Sequence, residues 1–341
     1  MRLGLALANE GPLRETVALA RLAEQLGLAE VWVPESSHGR SVTLVVATLA
    51  ANTHQIGLGV GVVNPFWRHP ALIAMEAATL DEASDGRLRG IGLGAGLWTL
   101  KALGEADQRT RRPLAAMVEA IKIVRAMLRE EPGPTAEIFT VRPDAALSFA
   151  PLRRDLPVYV GAVNQRMLQT AGALADGAYL GAITSPGYTT WAAEQLRWGA
   201  ANAARPPGAV DLVANVLTSV SLDAHAARHA VKPVLAYYLW RVDGVVTDHA
   251  GADPDAVAEV RRTVDTLGVQ AGAARVSDHL VATFAAAGDP EQVAQQLVRY
   301  AQAGLDGALA WHVLGPDPRE GLRLLAQQVW PLVGAGAEHA T

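Results

Sequence analysis

The segment Gly57–Gly96, GLGVGVVNPFWRHPALIAMEAATLDEASDGRLRGIGLGAG, restricts the fold of this chain more than any other. Two glycine-spaced apolar strands flank one helix, which Arg68-His69-Pro70 opens and Asp85-Gly86-Arg87 closes. A strand–helix–strand crossover of this kind pairs its strands in parallel. Glycines gathered at the strand ends suggest a flat cofactor pressed against bare main chain, because glycine lets backbone approach a ligand closely.

The same alternation runs through most of the 341 residues. Strands are expected at 3–8, 30–34, 56–62, 87–93, 156–161, 177–181, 211–220 and 306–311, separated by stretches with apolar residues at helical spacing. Leu13, Val17, Ala20, Leu22 and Leu26 are one such stretch. Gly27, Gly86, Gly177 and Gly304 stand where helix C-caps are expected. Eight strands with helical crossovers predict a (β/α)8 TIM barrel as one domain over 1–341, with a doubly wound open sheet as the lesser alternative. Two parts break the pattern. Proline-rich residues 131–155 are read as an insertion containing a hairpin at 137–141. Residues 241–288 form a long insertion before the last helix–strand–helix unit. Long loops in barrels gather at the catalytic mouth.

Composition narrows the function classes. Half the residues are hydrophobic, 18% are charged, and mean hydropathy is +0.15, as a large buried core requires. A net charge of -5 and pI near 6.0, with no run of Lys or Arg, argue against nucleic-acid binding, which needs a basic face. No cysteine is present, which removes disulfides, thiolate catalysis and iron–sulfur clusters. Met1–Glu10 reads as a first buried strand rather than a leader. No apolar run reaches a membrane-spanning length of about 18 residues. A cytoplasmic protein is expected, acting on a small molecule without nucleic acid or membrane.

Several motifs carry chemistry, each beside a plainer reading. Gly161-Ala162-Val163-Asn164 leads from a strand into a helix, and free N–H groups at a helix N-terminus bind anions such as a cofactor phosphate. The plainer reading is a turn with Asn164 as N-cap. Gly181-Ala182-Ile183-Thr184 is the neighbouring candidate. Glu35-Ser36-Ser37-His38 follows the second strand; a His there can exchange a proton with substrate near its own pKa, or merely cap a loop. Gly92-Leu93-Gly94-Ala95-Gly96 has the wrong spacing for a dinucleotide fingerprint. His225 and His229 have metal-compatible spacing but lack an acidic residue between them or a third ligand, so a solvated face is expected and no metal. His69 is expected to be structural or at a subunit contact, and His312 to line the pocket wall, as is Trp98. Trp191, Trp198 and Trp330 are candidates for an exposed interface.

Three of these segments resemble the bacterial luciferase-like flavin and deazaflavin oxidoreductases. They are Asn64-Pro65…Arg68-His69-Pro70…Thr79-Leu80-Asp81-Glu82…Asp85-Gly86-Arg87…Gly92–Gly96; Leu156–Ala162 with Thr170-Ala171-Gly172 and Ala175–Ala178; and Gly288–Val293. Within that family the chain most resembles the methylenetetrahydromethanopterin reductase branch, which uses the deazaflavin coenzyme F-420. The resemblance implies a TIM barrel, a homodimer, and F-420 at the C-terminal strand ends. It implies a non-prolyl cis peptide at Gly61-Val62 behind the deazaflavin ring. Ser36, Gly61, Val62, Asn64, Gly94, Gly161, Ala162, Val163, Asn164, Ala182 and Ile183 are the implied cofactor contacts, with Glu35 and His38 as catalytic candidates. One departure bears on the reaction: Ala6 stands where some reductases of the branch carry Glu. Hydride transfer to or from an unidentified organic substrate is therefore expected. An FMN-dependent monooxygenase and a non-catalytic flavin-binding relative are the alternatives. The segments 98–110, 185–190 and 241–288, which would choose the substrate, carry no motif.

Overall fold

A computed structural model describes residues 1–36, 38–96, 100 and 112–338. Its strands are β1 (Arg2–Ala6), β2 (Glu30–Val33), β3 (Gly57–Val63), β4 (Leu88–Leu93), β5 (Val158–Gly161), β6 (Gly177–Leu180), β7 (Asp211–Val220), β8 (Ala285–Gly288) and β9 (Gly307–Leu314). The first seven and β9 close in parallel into a ring, with β9 pairing both β1 and β7. The eight expected barrel strands are these. The additional strand β8 extends the ring locally: β7 is long enough to pair β6 through Asp211–Ala214 and β8 through Leu217–Val220.

Helices α1 (Leu13–Gln25), α2 (Val42–Ala50), α3 (Pro70–Ala83), α4 (Pro113–Arg129), α5 (Gln165–Leu174), α6 (Pro186–Asn202), α7 (Ala224–Arg241) and α12 (Pro290–Gln302) cover the barrel. The insertion between α7 and α12 is largely helical, as α8 (Gly244–Asp248), α9 (Pro254–Leu267), α10 (Val269–Ala273) and α11 (Asp278–Phe284). A final helical run comprises α13 (Pro318–Leu324), a π-helical turn at Leu325–Val329, and α14 (Trp330–Glu338). Asp289 and Gln292 form a capping box at the start of α12, satisfying donors that a helix end leaves free. Of the four expected glycine caps, Gly27, Gly86 and Gly304 have positive φ. Gly177 instead begins β6, where a Cβ would lie 2.2 Å from the Tyr159 ring.

The expected hairpin at 137–141 does not form. Glu119 of α4 accepts hydrogen bonds from the backbone N–H groups of Glu137, Ile138 and Phe139, so no strand partner is needed for them. Phe139 then buries against Phe66 and His69. His69 itself caps α3 by accepting from Ala71 N–H, the structural role expected of it.

Inside the barrel, Trp32 packs against Tyr159 and Tyr179 with ring centroids 5.0 and 5.4 Å away. Below them, Arg2 joins three strands: it donates to Glu30 of β2 and, through two nitrogens, to Asp211 of β7. Tyr159 and Trp32 donate to the same two carboxylates, closing the N-terminal end with a polar plug. The opposite end stays available for chemistry, as barrels of this kind use it.

Candidate functional site

The mouth is built from the C-terminal ends of the strands. At β3 the Gly61–Val62 peptide is cis and the β3–β4 register shifts between Val60 and Val63. Gly59 and Gly61 leave room for Trp32 and Tyr179, so glycine alternation here also serves interior packing. The Val62 side chain lies across the backbone of β4 and β5: a Cβ at Gly94 would come 2.3 Å from Val62 Cγ2, and one at Gly161 3.2 Å. Val62 and Gly161 are half-buried, and together they form a flat shelf.

Two polar clamps hold the shelf. Glu35 Oε2 accepts from Asn64 N–H at 3.0 Å while Oε1 accepts from Arg68 at 2.9 Å, and Glu35 N–H donates to the Val62 carbonyl. Arg68 also binds Glu76 at 2.7 Å. Burial raises the Glu76 pKa, with Arg68 opposing the shift. The Asn64 amide donates to the Ala95 carbonyl and its oxygen accepts from Phe66 N–H, joining the ends of β3 and β4. Glu35 is therefore engaged on both oxygens and is placed to position the β3 end rather than to exchange protons. Across the mouth, Asn9 receives Ser36 Oγ at 3.0 Å and donates to the Pro34 and Arg40 carbonyls. His38 is exposed on this same loop. Ser37, Trp98 and most of 98–110 lie outside the described residues.

The next two turns are buttressed from behind. Asn164 caps α5 through Met167 N–H, and Ser185 caps α6 through Tyr188 N–H. The plainer reading of Asn164 is thus correct, yet it leaves the earliest α5 amides directed outward, where an anion is favoured. Tyr188 donates to the Val163 carbonyl at 2.7 Å and Tyr300 to the Thr184 carbonyl at 2.8 Å, while Thr184 and Tyr179 both reach Asn215. Ala182 has φ +60 and is half-buried. Ile183 is wholly buried and Ala162 is 1% exposed, so their side chains fill the core and a cofactor would meet these two residues through their backbone.

At β9, Trp311, His312 and Tyr238 of α7 form an edge-to-face cluster, with Trp311–Tyr238 centroids 4.8 Å apart. Ala6 faces inward, in register with Trp32 and Trp311, so the position that resembles a catalytic Glu elsewhere is apolar and 3% exposed. Of the interface candidates, Trp198 is 56% exposed, whereas Trp191 stacks on His249 and Trp330 packs against the core. The rings of His225 and His229 lie 6.3 Å apart on α7. Asn9, Tyr188, Asn215 and Tyr300 were invisible as site residues in the sequence. Arg68 carried a signal there, through its place in the Asn64–Pro70 motif.

Comparisons with known proteins agree with this geometry. The sequence model of the luciferase-like monooxygenase family matches residues 1–307. The chain is 31% identical over 337 residues to a 5,10-methylenetetrahydromethanopterin reductase of Archaeoglobus fulgidus, covering 97% of this chain and 99% of that protein. It is 26% identical to an F-420-dependent glucose-6-phosphate dehydrogenase of Microbacterium testaceum, covering 97% of each. The structure of the coenzyme F-420-dependent tetrahydromethanopterin reductase from Methanopyrus kandleri superposes with a TM-score of 0.89 at 25% identity, over 97% of this chain and 98% of that one.

Proposed function

This chain belongs to the luciferase-like monooxygenase family, and on that premise we propose that it is a coenzyme F-420-dependent oxidoreductase acting on a small organic substrate. The observation that carries the reading is the shelf at the C-terminal ends of β3, β4 and β5, where the half-buried Val62 side chain lies closely over Gly94 and Gly161 and offers a flat apolar surface to a ring system. The adjoining N-terminal turns of α5 and α6 suit the cofactor's phosphate. Gly61, Val62, Asn64, Gly94 and Gly161 would support the ring, with Val163, Asn164 and Ala182 around the anionic tail and Ser36 at the opposite rim. When bound, the deazaflavin supplies a carbon that accepts or gives a hydride.

The protein's contribution is then positioning. Glu35 and Arg68 hold Asn64 and the β3 end in place. Tyr188 and Tyr300 hold the two phosphate turns. His38 stands across the mouth on the loop pinned by Asn9, within reach of solvent for proton exchange. The test is titration of protein purified from a host lacking deazaflavin, following cofactor fluorescence with F-420 and with FMN separately. Micromolar quenching by F-420 alone supports the reading; preference for FMN replaces it with flavin chemistry.

A homodimer is part of the same proposal. Leu44 of α2 and Leu72 and Met75 of α3 are 70%, 41% and 47% exposed on neighbouring helices, an apolar face that a second copy would cover. Light scattering of the wild type and of a Leu44→Glu/Met75→Glu variant decides it: a dimer that becomes monomeric agrees, a wild-type monomer refutes it. Among the described residues no helix is long and apolar enough to cross a membrane.

A further inference from the structure

β3, β4 and β5 carry the shelf at their C-terminal ends, and a second cavity of about 290 Å³ opens at their N-terminal ends. Gln55 and Gly57 line it from the start of β3, Arg87 and Arg89 from the start of β4, and Arg153 from the segment before β5. Three arginines thus share one cavity in a chain whose net charge is -5. Two of the guanidiniums are fixed in place. Arg87 donates to Thr53 Oγ1 and the Ile56 carbonyl at 3.2 and 2.9 Å, and to the Ala50 and Thr53 carbonyls at 3.1 and 3.0 Å. All four acceptors are neutral; carbonyls at the end of α2 favour the cation, but none of these bonds cancels its charge. Arg153 binds both oxygens of the buried Asp81 at 3.0 and 2.5 Å and the Leu88 carbonyl at 2.6 Å, and Asp155 acts on it as well. Its Nη1 has no partner among the described residues. Arg89 differs from both. It is exposed and has neither a hydrogen bond nor an ion pair among the described residues. A Cβ at Gly57 would lie 2.4 Å from Arg89 Nε and 2.7 Å from its Cγ, so glycine there lets the arginine lie flat across the first residue of β3.

We propose that this cavity binds a small multivalent oxyanion, a phosphate ester or a polycarboxylate, with Arg89 as its main contact and Arg87 and Arg153 as fixed walls. Structural ties account for Arg87 and Arg153, whereas Arg89 serves no tie of that kind. Set against the three arginines, Asp81 and Asp155 leave one positive charge unmatched. A guanidinium presents its donors as a planar fork that fits the paired oxygens of carboxylate or phosphate. The volume falls at the lower limit of about 300 Å³ for ligand pockets, which suits a compact ligand. The site does not depend on the F-420 reading. It stands apart from the turns that open α5 and α6, which belong to the opposite end of the barrel. An anion held there would join the starts of β3, β4 and β5 beneath the shelf, and so stabilise the barrel when bound.

Calorimetric titration of the full-length protein with pyrophosphate and with citrate tests it, chloride keeping ionic strength constant because screening weakens exposed charge pairs. Wild type should bind at least one of them at one site per chain, with affinity within about twofold whether or not F-420 is present. Arg89→Gln should weaken binding at least about tenfold, the loss expected for charge-assisted hydrogen bonds. Gly57→Ala keeps the net charge but forces Arg89 off the strand, and should weaken binding by a similar factor. Arg14→Gln removes an exposed charge from α1 and should leave affinity within about twofold of wild type. Tighter binding of pyrophosphate names a phosphoryl ligand and tighter binding of citrate a polycarboxylate; either preference supports the site. No heat beyond the chloride blank overturns the proposal. So does an affinity that Arg89→Gln leaves unchanged, or an anion that F-420 displaces, since either places the ligand elsewhere.

Discussion

Single side chains, and their absence, set the limits of the barrel interior and of the shelf. A Cβ at Gly59 would meet the Trp32 ring at 2.2 Å, and one at Gly61 the Tyr179 ring at 2.5 Å. These rings are buried and packed on each other, so neither can retreat. Gly59→Ala should therefore destabilise by about 1–3 kcal/mol in urea unfolding, the range for an overpacked core. Gly161 differs, since its added Cβ would meet the Val62 methyls at 3.2 and 3.3 Å and the Leu93 carbonyl at an ordinary 3.6 Å, and the position is half-buried. Gly161→Val should leave unfolding within about 1 kcal/mol of wild type yet weaken F-420 binding at least about tenfold, a loss of about 1.4 kcal/mol. Equal binding by the two proteins would remove Gly161 from the shelf. The spacing of these glycines was plain in the sequence; which ring each one faces was not, because every such pair joins different strands.

Elements away from the barrel are held by one recurring device. A carboxylate from a helix gathers three successive backbone N–H groups of a later segment: Glu24 of α1 takes His54, Gln55 and Ile56, and Glu119 of α4 takes Glu137, Ile138 and Phe139. Burial alone would raise both pKa values, but the N–H donors outweigh it and lower them. A carboxylate depressed on folding stabilises fully above its unfolded pKa of about 4.3, and the contribution is lost as pH falls through the folded value. Glu119→Gln should thus cost about 1 kcal/mol near neutrality, reduced by partial exposure, and nothing measurable once acid protonates the wild-type group. Hydrogen exchange at 137–139 should quicken in the variant at pH 7. An equal deficit at all pH values would show that charge is not what anchors this segment. Proline and glycine in 131–155 marked it as irregular, yet the alternating Ile138-Phe139-Thr140-Val141 pattern suggested a strand. The period was right for a strand, but the competing partner, Glu119, lies on another element.

For the molecule as a whole, the two barrel ends have separate tasks. Arg2, Glu30, Asp211 and Tyr159 tie β1, β2, β5 and β7 at the N-terminal end. Arg2→Ala leaves Glu30, 1% exposed, without its cation, and removal of one partner from a buried pair is costly. Because Arg2 is 36% exposed, a loss of about 2 kcal/mol is expected rather than the full buried value. F-420 affinity should be unchanged, since the shelf lies at the opposite end; a parallel fall in both would mean the ends are coupled. Ligand binding adds stability at the other end. F-420 at about 100 times its Kd should contribute about 2.7 kcal/mol, raising the midpoint of thermal unfolding by about 4 °C for a chain of this length.

The barrel itself follows from local information. Alternating strand and helix periods, with caps such as Asp289 and turns such as Asp85-Gly86, require parallel crossovers, and eight of them close. The motif around Asn64–Gly96 carries enough local detail to point to the family and to the ligand-bearing end of the strands. Tertiary structure alone decided which polar groups meet. Glu35 and Arg68 are 33 residues apart, Tyr300 and Thr184 116, and Arg2 and Asp211 209. Sequence periodicity reports which face of an element is buried, but it carries no record of register between distant strands. Hydrogen bonds are directional over about 3 Å, so that register determines whether Glu35 is a free acid or a clamp. The same reason hid the register shift between β7 and β9 near the end of β9.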